Sequence, residues 1–259
     1  MNTTLRISRT ISDIIAITRR NLIRYTRLPQ LIVFSTIQPV MFLLLFTYVF
    51  GGAIQTSFHD YITFLLPGII VQTVLFGSMQ TGIGLAEDLS RGMIDRFRSL
   101  PMAHSAILAG RTLTDMLRNA FVIVLMVIVG FFIGFRIEHG IGEFGIAVLL
   151  TLLFGFAFSW VSATVGLMVK EVETAQVAGF IWIFPLVFAS SIFVPIETMP
   201  TWLQTFAKHT PITATVDAVR ALSLGQPWHT NFWQALLWTF GILSFFIPLS
   251  VYFYNKRKN

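Results

Sequence analysis

The residues able to do chemistry are few, and their spacing argues against catalysis. The five histidines, His59, His104, His139, His209 and His229, are scattered through the connections between apolar stretches. There is no H-E-x-x-H and no G-x-S-x-G, so neither a zinc-protease helix nor a nucleophile elbow is encoded. No glycine is followed by lysine, so the chain lacks the phosphate loop needed to bind ATP by itself. The absence of cysteine excludes disulfides, thiol catalysis and thiolate metal sites. No catalytic set and no metal set emerges. A weak alternative is an integral-membrane lipid-modifying enzyme using His209, Asp217 and Arg220.

Two charged connections are too structured to be plain loops. The first is 87-EDLSRGMIDRFRSLPM-102. On a helical wheel Leu89, Met93, Phe97 and Leu100 share one face, and Asp88, Arg91, Asp95 and Arg98 share the other. Asp88/Arg91 and Asp95/Arg98 stand at i,i+3, and Arg91/Asp95 at i,i+4, so all three are candidate ion pairs. The spacing predicts a short cytoplasmic helix stopped by Pro101. It reads either as a solvated surface helix or as a docking helix for a partner, and the residues alone leave both open. The second connection, 196–231, is divided by Pro200, Pro211 and Pro227 and preceded by Pro195. Two short helices are expected at about 201–209 and 212–224, with Gly225 as a cap. Trp202, Leu203, Phe206, Val216 and Val219 make it too apolar for a free loop, while Glu197, Lys208, Asp217 and Arg220 make it too charged for a span. A re-entrant or interfacial outer hairpin satisfies both constraints, and Asp217 and Arg220 are spaced to pair.

The elements that must position these segments follow from charge scarcity. The 259 residues are 55% hydrophobic, with 18 Lys+Arg and 12 Asp+Glu. Six windows, 30–50, 61–86, 119–135, 144–169, 175–195 and 232–254, hold no Asp, Glu, Lys or Arg. About 20 residues of helix cross a hydrocarbon core, so six spans are expected and a soluble enzyme is excluded. The fold class is all-α integral membrane: a cytoplasmic arm at 1–29 and a six-span domain at 30–259. Arg118, just before the shortest window, is expected to snorkel to the interface. Most Lys and Arg fall in the N-terminal arm, the 87–118 connection and the tail, which places both termini in the cytoplasm. The net charge of +6 needs no nucleic-acid partner, since a basic rim beside anionic lipid explains it.

Residues 8–28 read as an amphipathic helix in the interface. Ile11, Ile14, Ile15, Ile17, Thr18 and Leu22 lie on one side, and Asp13, Arg20, Arg24 and Arg27 on the other. Pro39, Pro67, Pro185 and Pro248 fall inside spans and are expected as kinks rather than ends. No window holds an ionisable residue, which argues against a proton relay. The polar set there is neutral: Gln38, Gln72, Gln80, Ser159, Ser162, Thr164 and Gln176. Such residues either glue helices or line a path. Gln38, Gln72 and Gln80, with Phe76, are the candidate transport path.

The layout and several stretches resemble the permease subunit of an ABC-2 type exporter, most closely the daunorubicin-resistance-type drug exporters. Tyr61–Ile69 (YITFLLPGI) resembles the family's entry into the second span, Glu87–Met102 its coupling segment, and Gly110–Asp115 (GRTLTD) the stretch that follows. Phe193–Thr213 and Val216–Leu222 resemble its outer hairpin. The resemblance implies a bacterial or archaeal plasma (inner) membrane protein, paired with itself or with a homologous chain. It implies two cytoplasmic ATPase subunits, which carry the ATP and Mg. It makes Glu87, Asp88, Arg91, Gly92, Asp95, Arg96, Phe97, Arg98, Leu100 and Pro101 the ATPase-coupling helix. It makes Pro195, Met199, Pro200, Trp202, Pro211, Asp217 and Arg220 parts of an outer gate. The implied cargo is a hydrophobic drug-like molecule or lipid, with a lipid-linked glycan as the alternative.

Overall fold

A backbone surrounded by lipid must satisfy its own hydrogen bonds, and a helix does so within one segment. The computed structural model describes residues 3–27, 29–52, 54, 61–92, 104–138, 140–169 and 171–256, and every regular element among them is helical. In chain order these are α1 (Thr3–Arg27), α2 (Pro29–Leu45) continued by a π-helical turn (Phe46–Phe50), α3 (Tyr61–Ser90), α4 (His104–Ile133), α5 (Ile141–Met168) and α6 (Val172–Phe188). A short 3-10 turn (Ile196–Thr198) leads to α7 (Thr201–Lys208), α8 (Pro211–Leu224) and α9 (His229–Lys256). Four helices, α3, α4, α5 and α9, are long and apolar enough to cross a membrane, while the apolar stretches Ser35–Phe50 and Val172–Phe188 are shorter.

The four prolines stay inside their helices. The 175–195 window nevertheless stops early as helix, because α6 ends three residues after Pro185. Serines cause the departure. Ser190 Oγ donates to the Val187 carbonyl at 2.6 Å, and Ser191 Oγ donates to Asp217 at 2.7 Å. Side-chain bonds of this kind offer the backbone an alternative to the helical ladder.

At the centre lies α3. Its most apolar stretch is 83% buried, against 11% for α9 at the same mean hydropathy of 1.8. Glycine lets α5 approach it: a Cβ on Gly82 would meet the Ser162 carbonyl, and one on Gly166 would meet the Gly82 backbone. Small residues are the usual means of close helix contact in lipid, where apolar burial alone gives no preference.

The amphipathic arm folds as α1, and its apolar side divides. Ile17 and Thr18 are buried, and Thr18 Oγ1 donates to the Gly110 carbonyl of α4 at 3.1 Å. Ile11, Ile15 and Ile23 remain exposed. Arg20 is exposed beside Asn21, Arg27 is exposed, and Arg24 lies between them on the helix. Ile17 shares a cluster with Leu85, Leu108, Trp160 and Tyr254. The helices carrying the two chain ends therefore contribute to one cluster at one end of the bundle, and α7 and α8 lie at the other.

Candidate functional site

All four residues of the expected path converge. Gln38 on α2 and Gln72, Phe76 and Gln80 on α3 line one cleft, with Ser35, Pro39, Phe42, Thr73 and Gly77. Its volume is about 60 Å³, room for a couple of waters. An apolar hollow of about 330 Å³ at Ile37, Met41 and Leu45 shares Gln38 and Phe42 with it. The hollow reaches the lower end of the range of drug-sized sites, and the cleft adds polar groups beside it. Gln72 is 4% exposed, and its Oε1 is buried with no hydrogen-bond partner among the described residues. Gln38 and Gln80 are exposed. The Phe76 ring lies 6.0 Å from Phe180 and 6.4 Å from Phe184 of α6. The remaining neutral residues act differently: Thr164 and Ser250 join α5 to α9 by a 2.7 Å bond, and Gln176 faces outward.

The cleft also contains two residues that sequence reasoning missed, Arg118 and Asn119. The expectation that Arg118 snorkels is overturned, because its side chain is buried against α3. α4 starts at His104, so Asp115 and Arg118 fall well inside a helix long enough to cross a membrane. Arg118 is 7% exposed and Asp115 3%. Arg118 Nη2 donates to the Gly77 carbonyl at 2.6 Å and to Asn119 Oδ1 at 3.2 Å. Arg118 Nη1 lies 3.5 Å from Asp115, whose other oxygen accepts from Thr81 Oγ1 at 2.5 Å. The available signal was the i,i+3 spacing of opposite charges directly before an apolar window.

The start of the expected helix over 87–101 is also corrected. Glu87 and Asp88 belong to the last turns of α3, and the chain then turns at Arg91 and Gly92, where φ is +66°. Such a backbone favours glycine and ends a helix. Arg91 pairs with Glu87 at 2.7 Å instead of Asp88, while Asp88 is taken by Arg111 of α4. Asp95, Arg96, Phe97, Arg98, Leu100 and Pro101 lie outside the described residues.

The helical hairpin expected over 196–231 follows the expected boundaries. Pro211 opens α8, Thr210 caps it by accepting from the Thr213 N–H at 3.2 Å, and Gly225 closes it at φ +70°. Pro195 and Pro200 flank the 3-10 turn, Met199 is buried, and Trp202 is 74% exposed. Asp217 and Arg220 pair at 2.9 Å. Arg220 is buried, donates to the carbonyls of Phe64 (3.1 Å) and Ser191 (2.8 Å), and lies 3.8 Å over the Phe64 ring. Burial lowers the Arg220 pKa to about 10, partly offset by Asp217, so the guanidinium stays charged at neutral pH. Burial likewise raises the Asp217 carboxyl above its usual range, with Arg220 opposing it. This knot fastens the hairpin to α3. His209 is not part of it: the ring is exposed and bonded to the Thr205 carbonyl at 2.8 Å.

Comparison with known proteins gives this arrangement a family. Residues 12–224 match the ABC-2 type transporter family. The chain is 36% identical over 243 residues to the daunorubicin resistance ABC transporter permease protein DrrB1 of Streptomyces coeruleorubidus, covering 92% of this chain and 84% of that one. It is 24% identical over 226 residues to the probable doxorubicin resistance ABC transporter permease protein DrrC of Mycobacterium tuberculosis, covering 87% and 82%. It is 26% identical over 226 residues to the putative transport permease ycf38 of Cyanophora paradoxa, covering 84% and 76%. A chain whose described elements are all helical, four of them long and apolar, and which is matched over most of its length in this way, belongs to the ABC-2 type transporter family and is the membrane permease subunit of an ABC exporter.

Proposed function

We propose that this permease crosses the plasma membrane of a bacterium or archaeon six times, with α2 and α6 as the two shorter spans and both termini in the cytoplasm. It pairs with a second permease chain and exports a hydrophobic or amphiphilic drug-like molecule or lipid. Two separate ATPase subunits bind ATP and Mg and engage the connection from Glu87 to Pro101, with the exposed face of α1 lying on the membrane surface. Relatives named for daunorubicin and doxorubicin resistance favour a drug-like cargo. The observation that carries the reading is the convergence of Gln38, Gln72, Phe76 and Gln80 on one cleft. The cleft is largely apolar in its surroundings and offers a few fixed polar groups, as sites for amphiphiles do. Hydrolysis by the ATPases would rock the two permease chains and pass the cargo from the cleft toward the outer hairpin.

The test is coexpression with a phosphate-loop ATPase, sought first in the neighbouring reading frame. Copurification, and ATP hydrolysis stimulated by an amphiphile in vesicles, are the expected results. Replacing Gln72 by Leu and Phe76 by Ala should lower transport by about tenfold, equivalent to about 1.4 kcal/mol. Full transport by both variants at matched expression would remove the cleft from the path.

A further inference from the structure

The bundle holds a row of polar contacts that the transport reading does not use. On α3, Gly77, Thr81, Gly84 and Asp88 follow one another at helical spacing. On α4, Arg111, Asp115 and Arg118 do the same and run antiparallel to them. Asp88 holds Arg111, whose guanidinium occupies the space a side chain on Gly84 would need. Thr81 holds Asp115, Asp115 lies beside Arg118, and Arg118 holds the Gly77 carbonyl and the Asn119 amide. A Cβ on Gly77 would meet the Asn119 side chain. The row covers about 16 Å at 1.5 Å per residue. One end flanks the connection that joins α3 to α4, and the other end is the cleft wall. Thr18 of α1 is fastened to Gly110, next to Arg111.

We infer that Asp88, Arg111, Asp115 and Arg118 are positioning residues for transport, forming a polar seam that ties the α3–α4 connection to the cleft. A charge pair in a low-dielectric interior is costly unless held by further hydrogen bonds, so each pair prefers one geometry. Displacement of Asp88 draws on Arg111 and α4, and the Thr81–Asp115–Arg118 contacts pass that displacement to Asn119. The inference rests on reading the cleft as the transport path and the connection as the ATPase contact.

The experiment uses the full permease with its ATPase in vesicles and measures substrate moved per ATP hydrolysed. Asp88→Arg and Arg111→Asp should each lower this ratio by about fivefold, within the range of measured coupling effects. The double exchange, which restores an ion pair, should recover at least about half of it. Thr81→Val, which keeps shape and removes the donor, should lower it by about twofold or more. Unchanged ratios in Thr81→Val and in both single charge variants would overturn the inference while leaving the transport reading intact. Should the wild-type pair fail to transport at all, the transport reading falls, and the seam is judged on the purified permease by hydrogen exchange. Asp88→Arg should then speed exchange from residue 84 through residue 119, with the double exchange reversing it. A change confined to residues 84–92 would overturn the seam.

Discussion

Asp115 and Arg118 carry opposite charges inside a helix whose neighbours are apolar, and each is held by further bonds. Replacing Asp115 by Ala strands the Arg118 charge and should cost about 3–5 kcal/mol, measured as the thermal midpoint of the purified permease. Replacing both, as Asp115→Leu with Arg118→Met, should recover most of that loss, because an apolar pair needs no compensation. Arg220 poses a different requirement. Its planar fork meets two carbonyls and a carboxylate at once, so Arg220→Lys should not restore the stability lost in Arg220→Ala, since a point charge cannot reproduce the fork. The Asp217–Arg220 pair was legible because both residues sit on one short helix, three apart. Asp88–Arg111 and Thr81–Asp115 were not, because partner choice there depends on how α3 meets α4, which local spacing does not encode. Arg118 misled for the same reason: at the edge of a charge-free window, a side chain reaching outward to water and one reaching inward to Gly77 look alike in sequence.

Among the elements, the hairpin was the easiest to place. Proline and glycine punctuate it, and both act through backbone sterics local to the residue. The end of α6 was harder, since Ser190 and Ser191 leave the helix in favour of partners in α6 and α8. The contact between α3 and α5 is the element-scale feature most open to test. Gly82→Val should drive the backbones apart, since its Cβ meets the Ser162 carbonyl and not a movable side chain. Overpacking of this kind costs about 1–3 kcal/mol, visible as a lowered thermal midpoint and faster proteolysis. Gly52→Ala, where no atom of the described residues lies within 4 Å of the new Cβ, serves as the control and should leave both unchanged.

For the whole molecule, the absence of cysteine makes its placement in the membrane directly measurable. Single cysteines introduced at Lys208 and at Glu173 should react with an impermeant maleimide from opposite faces of the membrane. Labelling of both from the same face in intact cells would refute the six-span arrangement. The apolar windows were legible because charge is excluded from the bilayer core whatever a helix packs against. Which helix lies inside was not legible: α3 and α9 have the same mean hydropathy, yet one is enclosed and the other borders the surroundings. Lipid tails and leucine side chains are equally apolar, so composition cannot separate them. The enclosure of α3 has an evolutionary consequence. One side of it meets α5 through glycine, another carries the polar seam, and a third lines the cleft, so almost any drift there disturbs two neighbours at once. On the proposed transport path, adaptation to new cargo is therefore channelled to α2, whose Ile37, Met41 and Leu45 border the hollow and are exposed among the described residues.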